Sequence, residues 1–512
     1  MSNKSIAKSA SIIGGATLLS RILGFVRMIL IARLLGTSRI AEAFFVAFRI
    51  PNLIRNLAGE GAANSTVVPV LSGYLHKEKH EFWRLVYVLF TLFLLILGFF
   101  VVLGMFFAPL IVRVIAPGFI SDPDKLDLTI RLSRIMFPYL ILIGISALGM
   151  GVLNTLKSFA VSAFGPCIFN LAFIASILVA YNKNGNPTIL ALGVLIAGVL
   201  QLLIQIPVLV RYGFRPKLTE LHLKHKGAAS IGKLLIPRMI GSGVYLLNVF
   251  IDTILASLSW IVGVGGVAAI YYANRLIQFP LGIFSFAISN AALPAMSTHA
   301  AAGEIDQLKS ILSFSLRSVF LFTIPSAVGL AVLAGPIIRV LFERGEFNAY
   351  STLITSSALL FYSLGIPAYA AVKILTSCFY ALKDTKTPVK SAAVALIVNT
   401  VFNLILIWHL KIGGLALASS IASFVNAFIL YRLLRKKIGK LFSGEILSTI
   451  MRIIAASGLM GVFMFFLRSN LTGLSENIAL ILTIVLSVPS FFIFCLLFGV
   501  DEIKSIWRIR KN

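Results

Sequence analysis

Three arginines stand six residues apart in SRILGFVRMILIARLLG, Ser20 to Gly36. Without Arg21, Arg27 and Arg33 that stretch is an ordinary apolar helix of nearly membrane-spanning length. Arginine keeps its proton inside proteins, and a guanidinium near the bilayer centre costs about 2.5–3.5 kcal/mol on insertion scales. A second apolar run continues the theme in FRIPNLIRNLAGEG, with Arg49, Arg55 and Glu60, and Arg275 follows in YYANRLIQFP. Acids within the spans are fewer, Glu42, Glu60 and Asp252 being the clear ones. Pairing every arginine with a buried acid therefore falls short, and the surplus predicts a water-filled cavity for an anion. Phosphate suits it, because the planar guanidinium fork meets two phosphate oxygens at once.

Helical geometry limits which of these can cooperate. Steps of six residues leave successive side chains about 120° apart on a helix, so the three cannot share one cavity on a straight helix. Arg33, close to Gly36, is expected to snorkel to the interface. A bend at Gly24 would bring Arg21 and Arg27 toward one side. Pro51, between Arg49 and Arg55, removes a helical donor and predicts a kink. Asp252, in LNVFIDTILAS, stands in mid-membrane. A hydrogen-bonded structural acid and a proton or cation site are both open readings of it.

The elements that carry these residues follow from composition. Of 512 residues 59% are hydrophobic and 12% charged, against about half and about a quarter in soluble domains. The apolar residues form long blocks, not the alternating segments of a membrane barrel. The expected fold is all-α and polytopic, with about fourteen spans from 10–35 through to 477–499. A net charge of +27 would suit nucleic acid, but much of the Lys and Arg lies in short loops between spans. The rich loops, His76–Arg84, Arg211–Lys226, Lys383–Lys390 and Arg432–Lys440, all follow even-numbered spans. They place both termini in the cytoplasm and argue against a nucleic-acid partner. The basic, then apolar start MSNKSIAKSASIIGG has no convincing cleavage site, so it is expected to be retained as the first span.

An internal repeat organises the chain. AFFVAFRI at Ala43–Ile50 returns as AIYYANRL at Ala269–Leu276, APLIVRV at Ala108–Val114 as GPIIRVL at Gly335–Leu341, and PVLS at Pro69–Ser72 as PAMS at Pro294–Ser297. The fifth span of each copy carries Phe-Asn, at Phe169-Asn170 and Phe402-Asn403. Six spans per copy is an even number, so the copies share one orientation, a parallel pseudo-twofold repeat of the kind found in transporters that rock two halves. The expected division is 1–222 and 223–440 for the two lobes, with two extra helices in 441–512.

Enzyme chemistry has little to stand on. GAASIGK, Gly227–Lys233, has phosphate-loop spacing, but Leu234 replaces the required Ser or Thr and no strand precedes it. Neither HExxH nor a Ser/His/Asp arrangement is evident. Cys167, Cys378 and Cys495 all fall in apolar segments without metal spacing.

SRILGFVR, EAFFVAFRIPNLIRNLAGEGA, YYANRLIQFP and ALKDTKTPVK together resemble the MurJ (MviN) lipid II flippase family of the MOP transporter superfamily, across essentially the full length. The resemblance implies fourteen spans in two six-helix lobes, with the two extra helices forming a groove for the polyprenyl tail. It implies transfer of lipid II, the undecaprenyl-pyrophosphate-linked disaccharide-pentapeptide, from the inner to the outer leaflet of the bacterial cytoplasmic membrane by alternating access. Peptidoglycan synthesis would depend on that step, and the cell-wall synthesis machinery would be the implied partner. Arg21, Arg27, Arg55 and Arg275 match the family's central cationic site and would grip the pyrophosphate, with Ser20 beside them, and Glu42 matches a family acid that is often Asp. Met28, Asn274 and Gln278 stand where other members carry acids, which leaves the site more cationic. The family's sodium site matches Asp252, Asn399, Asn403 and Ser419 with the carbonyl of Leu415, although Asn403 stands for an Asp. Sodium and the membrane potential are therefore both open as driving forces. The rival readings are a flippase for an O-antigen or capsule intermediate, a drug/cation antiporter, and a scaffold for envelope assembly.

Overall fold

A computed structural model describes residues 3–58, 66–77, 79–215, 225–440, 444–471, 473–500 and 502; for some helical residues, Arg55 among them, it describes the backbone alone. Contacts gather the chain into two compact units, Met1–Leu246 with Arg344–Glu346, and Leu247–Glu343 with Phe347–Asn512. Unit 1 holds α1 (Asn3–Leu35), α2 (Arg39–Ala58), α3 (Val68–Lys77), α4 (Lys79–Phe106), α5 (Ala108–Ile115), α6 (Pro123–Met136), α7 (Tyr139–Thr155), α8 (Phe159–Tyr181), α9 (Pro187–Leu203), α10 (Ile206–Arg211) and the first part of α11 (Lys226–Ala256). Unit 2 holds the end of α11, then α12 (Ser259–Val262), α13 (Gly266–Pro280), α14 (Phe286–Ala302), α15 (Ile305–Val332), α16 (Ala334–Phe342), α17 (Ala349–Leu364) and α18 (Ile366–Ala381). It closes with α19 (Lys386–Leu410), α20 (Ile412–Ile438), α21 (Gly444–Asn470) and α22 (Glu476–Leu497). Every regular element among the described residues is helical.

Local chemistry sets the breaks. Gly36 takes a left-handed φ of 55° past the end of α1, a conformation that costs glycine little. Asp122 caps α6 by accepting from the Lys125 amide at 3.3 Å, with Pro123 in the first turn where its missing N–H costs nothing. Asn186 and Asn348 cap α9 and α17 in the same way. After Pro280 the chain passes through one π turn, Leu281–Ser285, before α14 resumes. Wider turns of this kind accommodate a proline that can neither donate nor pack against the preceding turn.

Ten helical segments among the described residues are long and apolar enough to cross a membrane, or eleven if the pair α17 and α18, bent by 45°, is one span. Three further expected spans, at α1, α2 and α11, are helical and only partly described, and they carry the arginine clusters and Asp252. The repeat has a visible mark: a short helix begun by Ala-Pro or Ala-Gly-Pro, α5 or α16, follows the long helix α4 or α15.

Each unit packs its own core. In unit 1, Leu71, Phe82, Leu85, Val86, Leu148 and Val152 join α3, α4 and α7. In unit 2 one cluster joins α14, α15, α18 and α20 through Met296, Leu312, Ile374 and Leu434, and a second binds α21 and α22 to α15 through Ile453, Met460 and Phe491. The contact boundary thus falls inside α11, beyond residue 222, and α21 and α22 belong to unit 2. Phe99, Phe106 and Leu497 point outward, as suits a surface whose solvent is lipid as apolar as leucine.

Candidate functional site

In unit 1 the charged helix α1 lies along α8, and the seam is read at helical spacing. Cys167 Sγ approaches the Ala16 carbonyl at 3.3 Å. One turn on, Asn170 Nδ2 donates to the Ser20 carbonyl at 3.0 Å and reaches Ser20 Oγ at 3.3 Å. Its other amide atom, Oδ1, accepts from Arg27 Nη1 at 2.9 Å. Phe169 and Phe173 place their rings 5.7 and 5.5 Å from the same guanidinium, and Phe173 is itself stacked on Phe44 at 6.1 Å. Arg27 is half-buried, and an amide and two aromatic faces help to orient it.

The other arginines differ in exposure. Arg21 is exposed on α1. Arg33 is exposed at the end of α1, with its guanidinium 5.5 Å from the Tyr181 ring. Arg49 is half-buried in α2. The side chain of Arg55 and the whole of Glu60 lie outside the described residues. Glu42 is buried and pairs with Lys125 Nζ at 2.5 Å, with side-chain exposures of 2% and 4%. The Lys125 ammonium also stands 3.7 Å from the Phe119 ring centre. Glu42 is thus matched by a cation of its own unit.

Unit 2 carries Arg275 on an exposed face of α13. Arg275 Nη1 donates to Gln278 Oε1 at 3.3 Å, and Gln278 Nε2 donates in turn to Asn274 Oδ1 at 2.8 Å. One helical turn of amides steers the guanidinium and leaves its charge intact. The two amides stand where the family resemblance placed carboxylates.

The second cluster of unit 2 brings together α11, α19 and α20. Asn403 Nδ2 donates to Asp252 Oδ1 at 2.8 Å and to Asn399 Oδ1 at 2.9 Å. Asn399 Nδ2 donates to Ser419 Oγ at 3.1 Å, which reaches Asp252 Oδ2 at 3.4 Å. Leu415 is buried one turn before Ser419 on α20. Asn248 Nδ2 approaches Asp252 Oδ2 at 3.4 Å. Asn403 Oδ1 is buried with no hydrogen-bond partner among the described residues. An orphaned amide oxygen costs desolvation energy, and a hard cation satisfies such an oxygen as well as a proton donor does. Carboxylate, amide and hydroxyl oxygens are the donors an alkali ion takes. Among the described residues no group of three or more His, Cys, Asp or Glu side chains could hold a metal.

Comparison with known proteins decides the family. The model of the lipid II flippase MurJ family matches residues 31–490. The chain belongs to the MurJ family. A lipid II flippase MurJ of Burkholderia cenocepacia is 36% identical over 430 residues, 83% of each chain. A solved lipid II flippase MurJ in an inward closed conformation has the same fold, with a TM-score of 0.82 at 28% identity over 96% of this chain and 99% of that one. A multidrug resistance MATE transporter of the MOP superfamily, 14% identical over 82% of this chain and 95% of its own, shares the fold with a TM-score of 0.69.

Within the MurJ pattern the structure joins Ser20 and Arg27 through Asn170, and it joins Asp252, Asn399, Asn403 and Ser419 to one another. It places Arg21 and Arg275 on exposed faces of their own units and Glu42 against Lys125. Sequence reasoning missed Asn170, Phe169, Phe173 and Lys125 as site residues. The duplicated Phe-Asn was the one available signal. In the first copy its asparagine holds Arg27, and in the second it holds Asp252.

Proposed function

We propose that the chain is a lipid II flippase of the bacterial cytoplasmic membrane, with both termini in the cytoplasm, and that Arg21, Arg27, Arg55 and Arg275 hold the pyrophosphate of the substrate. The polyprenyl tail stays in the bilayer, and the site opens alternately to the two membrane faces. The division into lobes 1–222 and 223–440, with 441–512 flanking the tail, belongs to the same reading. No covalent bond is made or broken. The observation that carries the reading is Arg275, a membrane-embedded guanidinium steered by Gln278 through a neutral amide. A carboxylate partner would have quenched the charge. An amide keeps it available for a diphosphate, whose oxygens the guanidinium fork meets in bidentate fashion.

Loss of the tail-linked headgroup from the inner leaflet also has a favourable electrical direction. An anion leaving a negative interior gains about 2.3 kcal/mol per charge for each 100 mV. The oxygens around Asp252, with the orphaned Asn403 Oδ1, fit Na+ as the second drive, held by Asp252, Asn399, Asn403, Ser419 and the Leu415 carbonyl. Lipid II delivered to the outer face would pass to the cell-wall synthesis machinery. A flippase for O-antigen or capsule intermediates is not favoured, since the family match is to lipid II flippases.

Alanine at Arg27, Arg55 or Arg275 is expected to abolish rescue of a flippase-depleted bacterium while leaving expression intact. Normal rescue by all three single variants would refute the arginine assignment.

A further inference from the structure

Lys373 takes no part in the site just described, yet its position is an expensive one. It lies midway along α18, half-buried, and its Nζ stands 4.5 Å from the centre of the Phe286 ring. Phe286 stands in the 37-residue span Gly266–Ala302, roughly 30 Å from its start and roughly 24 Å from its end at 1.5 Å per residue. The ring that the ammonium contacts is therefore far from both ends of that span. Among the described residues no carboxylate pairs with it. A contact with one ring face offsets only part of the cost of a charge at that depth.

The neighbours show where the charge is directed. Ala370, Ala371, Ile374 and Leu375 of α18 pack into the core with α14, α15 and α20. Lys373 lies off that buried stripe, against Phe286, which is 47% exposed. Phe286 also continues an exposed face of the same span, through Arg275, Gln278, Phe279 and Ile283. The eleven residues from Arg275 to Phe286 correspond to roughly 16 Å along the helix, farther than one diphosphate can bridge.

We propose that Lys373, seated on Phe286, is a second anion subsite of unit 2, which takes a phosphate or carboxylate of the substrate headgroup at a different depth from Arg275. The inference rests on the lipid II reading. Two sources offer the anion: the pyrophosphate, passing Lys373 at one stage of its crossing, or a carboxylate of the stem peptide, held while Arg275 holds the diphosphate.

The test measures binding of lipid II, and of undecaprenyl pyrophosphate without sugar or peptide, to the purified full-length wild type, Lys373→Met and Lys373→Arg. Thermal melting without ligand is recorded on the same samples. Lys373→Met should bind lipid II about tenfold more weakly, Lys373→Arg should keep most of the affinity, and unliganded Lys373→Met should melt no lower than wild type, because an unpaired charge has been removed. Weakening for lipid II alone assigns the peptide carboxylate, and weakening for both ligands assigns the diphosphate. Wild-type affinity of Lys373→Met for both ligands overturns the subsite. So does a loss shared by Lys373→Arg, or a lower melting temperature, either of which marks a packing role. A wild type that binds neither ligand overturns the lipid II reading itself, a result distinct from failure of the subsite.

Discussion

Asn170 should set the affinity of the arginine it holds. Its Oδ1 accepts from Arg27 Nη1 at 2.9 Å while its Nδ2 is tied to Ser20. A hydrogen bond to a charged group contributes about 1.5–3 kcal/mol, and each 1.4 kcal/mol is about tenfold in a binding constant. Asn170→Leu keeps the bulk and removes the amide's hydrogen bonds to Arg27 and Ser20, so lipid II binding should weaken about 10-fold to 100-fold. Asn170→Asp is the sharper variant. It is nearly isosteric and would hold Arg27 in the same place, but its carboxylate would neutralise the guanidinium and repel the diphosphate. Measured with purified protein, affinity should fall in the order wild type, Leu variant, Asp variant, while the Asp variant melts near wild type. If Asn170 only pins α1 to α8, the order of the two variants reverses. An Asp variant that binds as well as wild type would refute the reasoning.

Further outcomes follow from the other contacts. Lys125→Met removes the buried cation paired with Glu42 and should destabilise the protein by about 3–5 kcal/mol, and Glu42→Gln in the same chain should restore much of that on chemical unfolding. Asn403→Asp adds a second carboxylate beside Asp252 and should strengthen stabilisation by Na+ in thermal melts, whereas Asp252→Asn should abolish it. In the loop before α19, burial alone would raise the Asp384 carboxyl, but hydrogen bonds from Lys437 and Thr387 outweigh it and hold it down to about 2. The folded value lies below the ordinary one of 3.8, so this contribution is present above that pH and is lost as pH falls toward 2. Lys437→Met should therefore lower stability at neutral pH and cease to matter in strong acid.

Much of this was legible in the chain. Charge balance exposed the surplus arginines, and the six-residue step ruled out a single cavity for Arg21, Arg27 and Arg33 on a straight helix, with Arg33 set apart and Arg21 and Arg27 grouped by a bend at Gly24. Block hydropathy announced an all-helical membrane fold. The residues around Asp252 were legible only through family resemblance, since nothing in their spacing brings α11, α19 and α20 together. Asn170 and Lys125 were not legible as partners. They meet Arg27 and Glu42 across 143 and 83 positions of chain, and such meetings depend on which helices pack, which local periodicity does not encode. Asn274 and Gln278 read as lost acids, whereas on the helix their three- and four-residue spacing makes them a bracket for Arg275.

The central claim is that membrane-embedded guanidinium groups carry the diphosphate of lipid II. It is tested most directly by the accessibility of labelled lipid II to an external, membrane-impermeant probe in proteoliposomes. Wild-type protein should expose inner-leaflet lipid II to the probe, and Arg275→Ala, inserted in equal amount, should leave it protected. Equal exposure with both proteins would contradict the account.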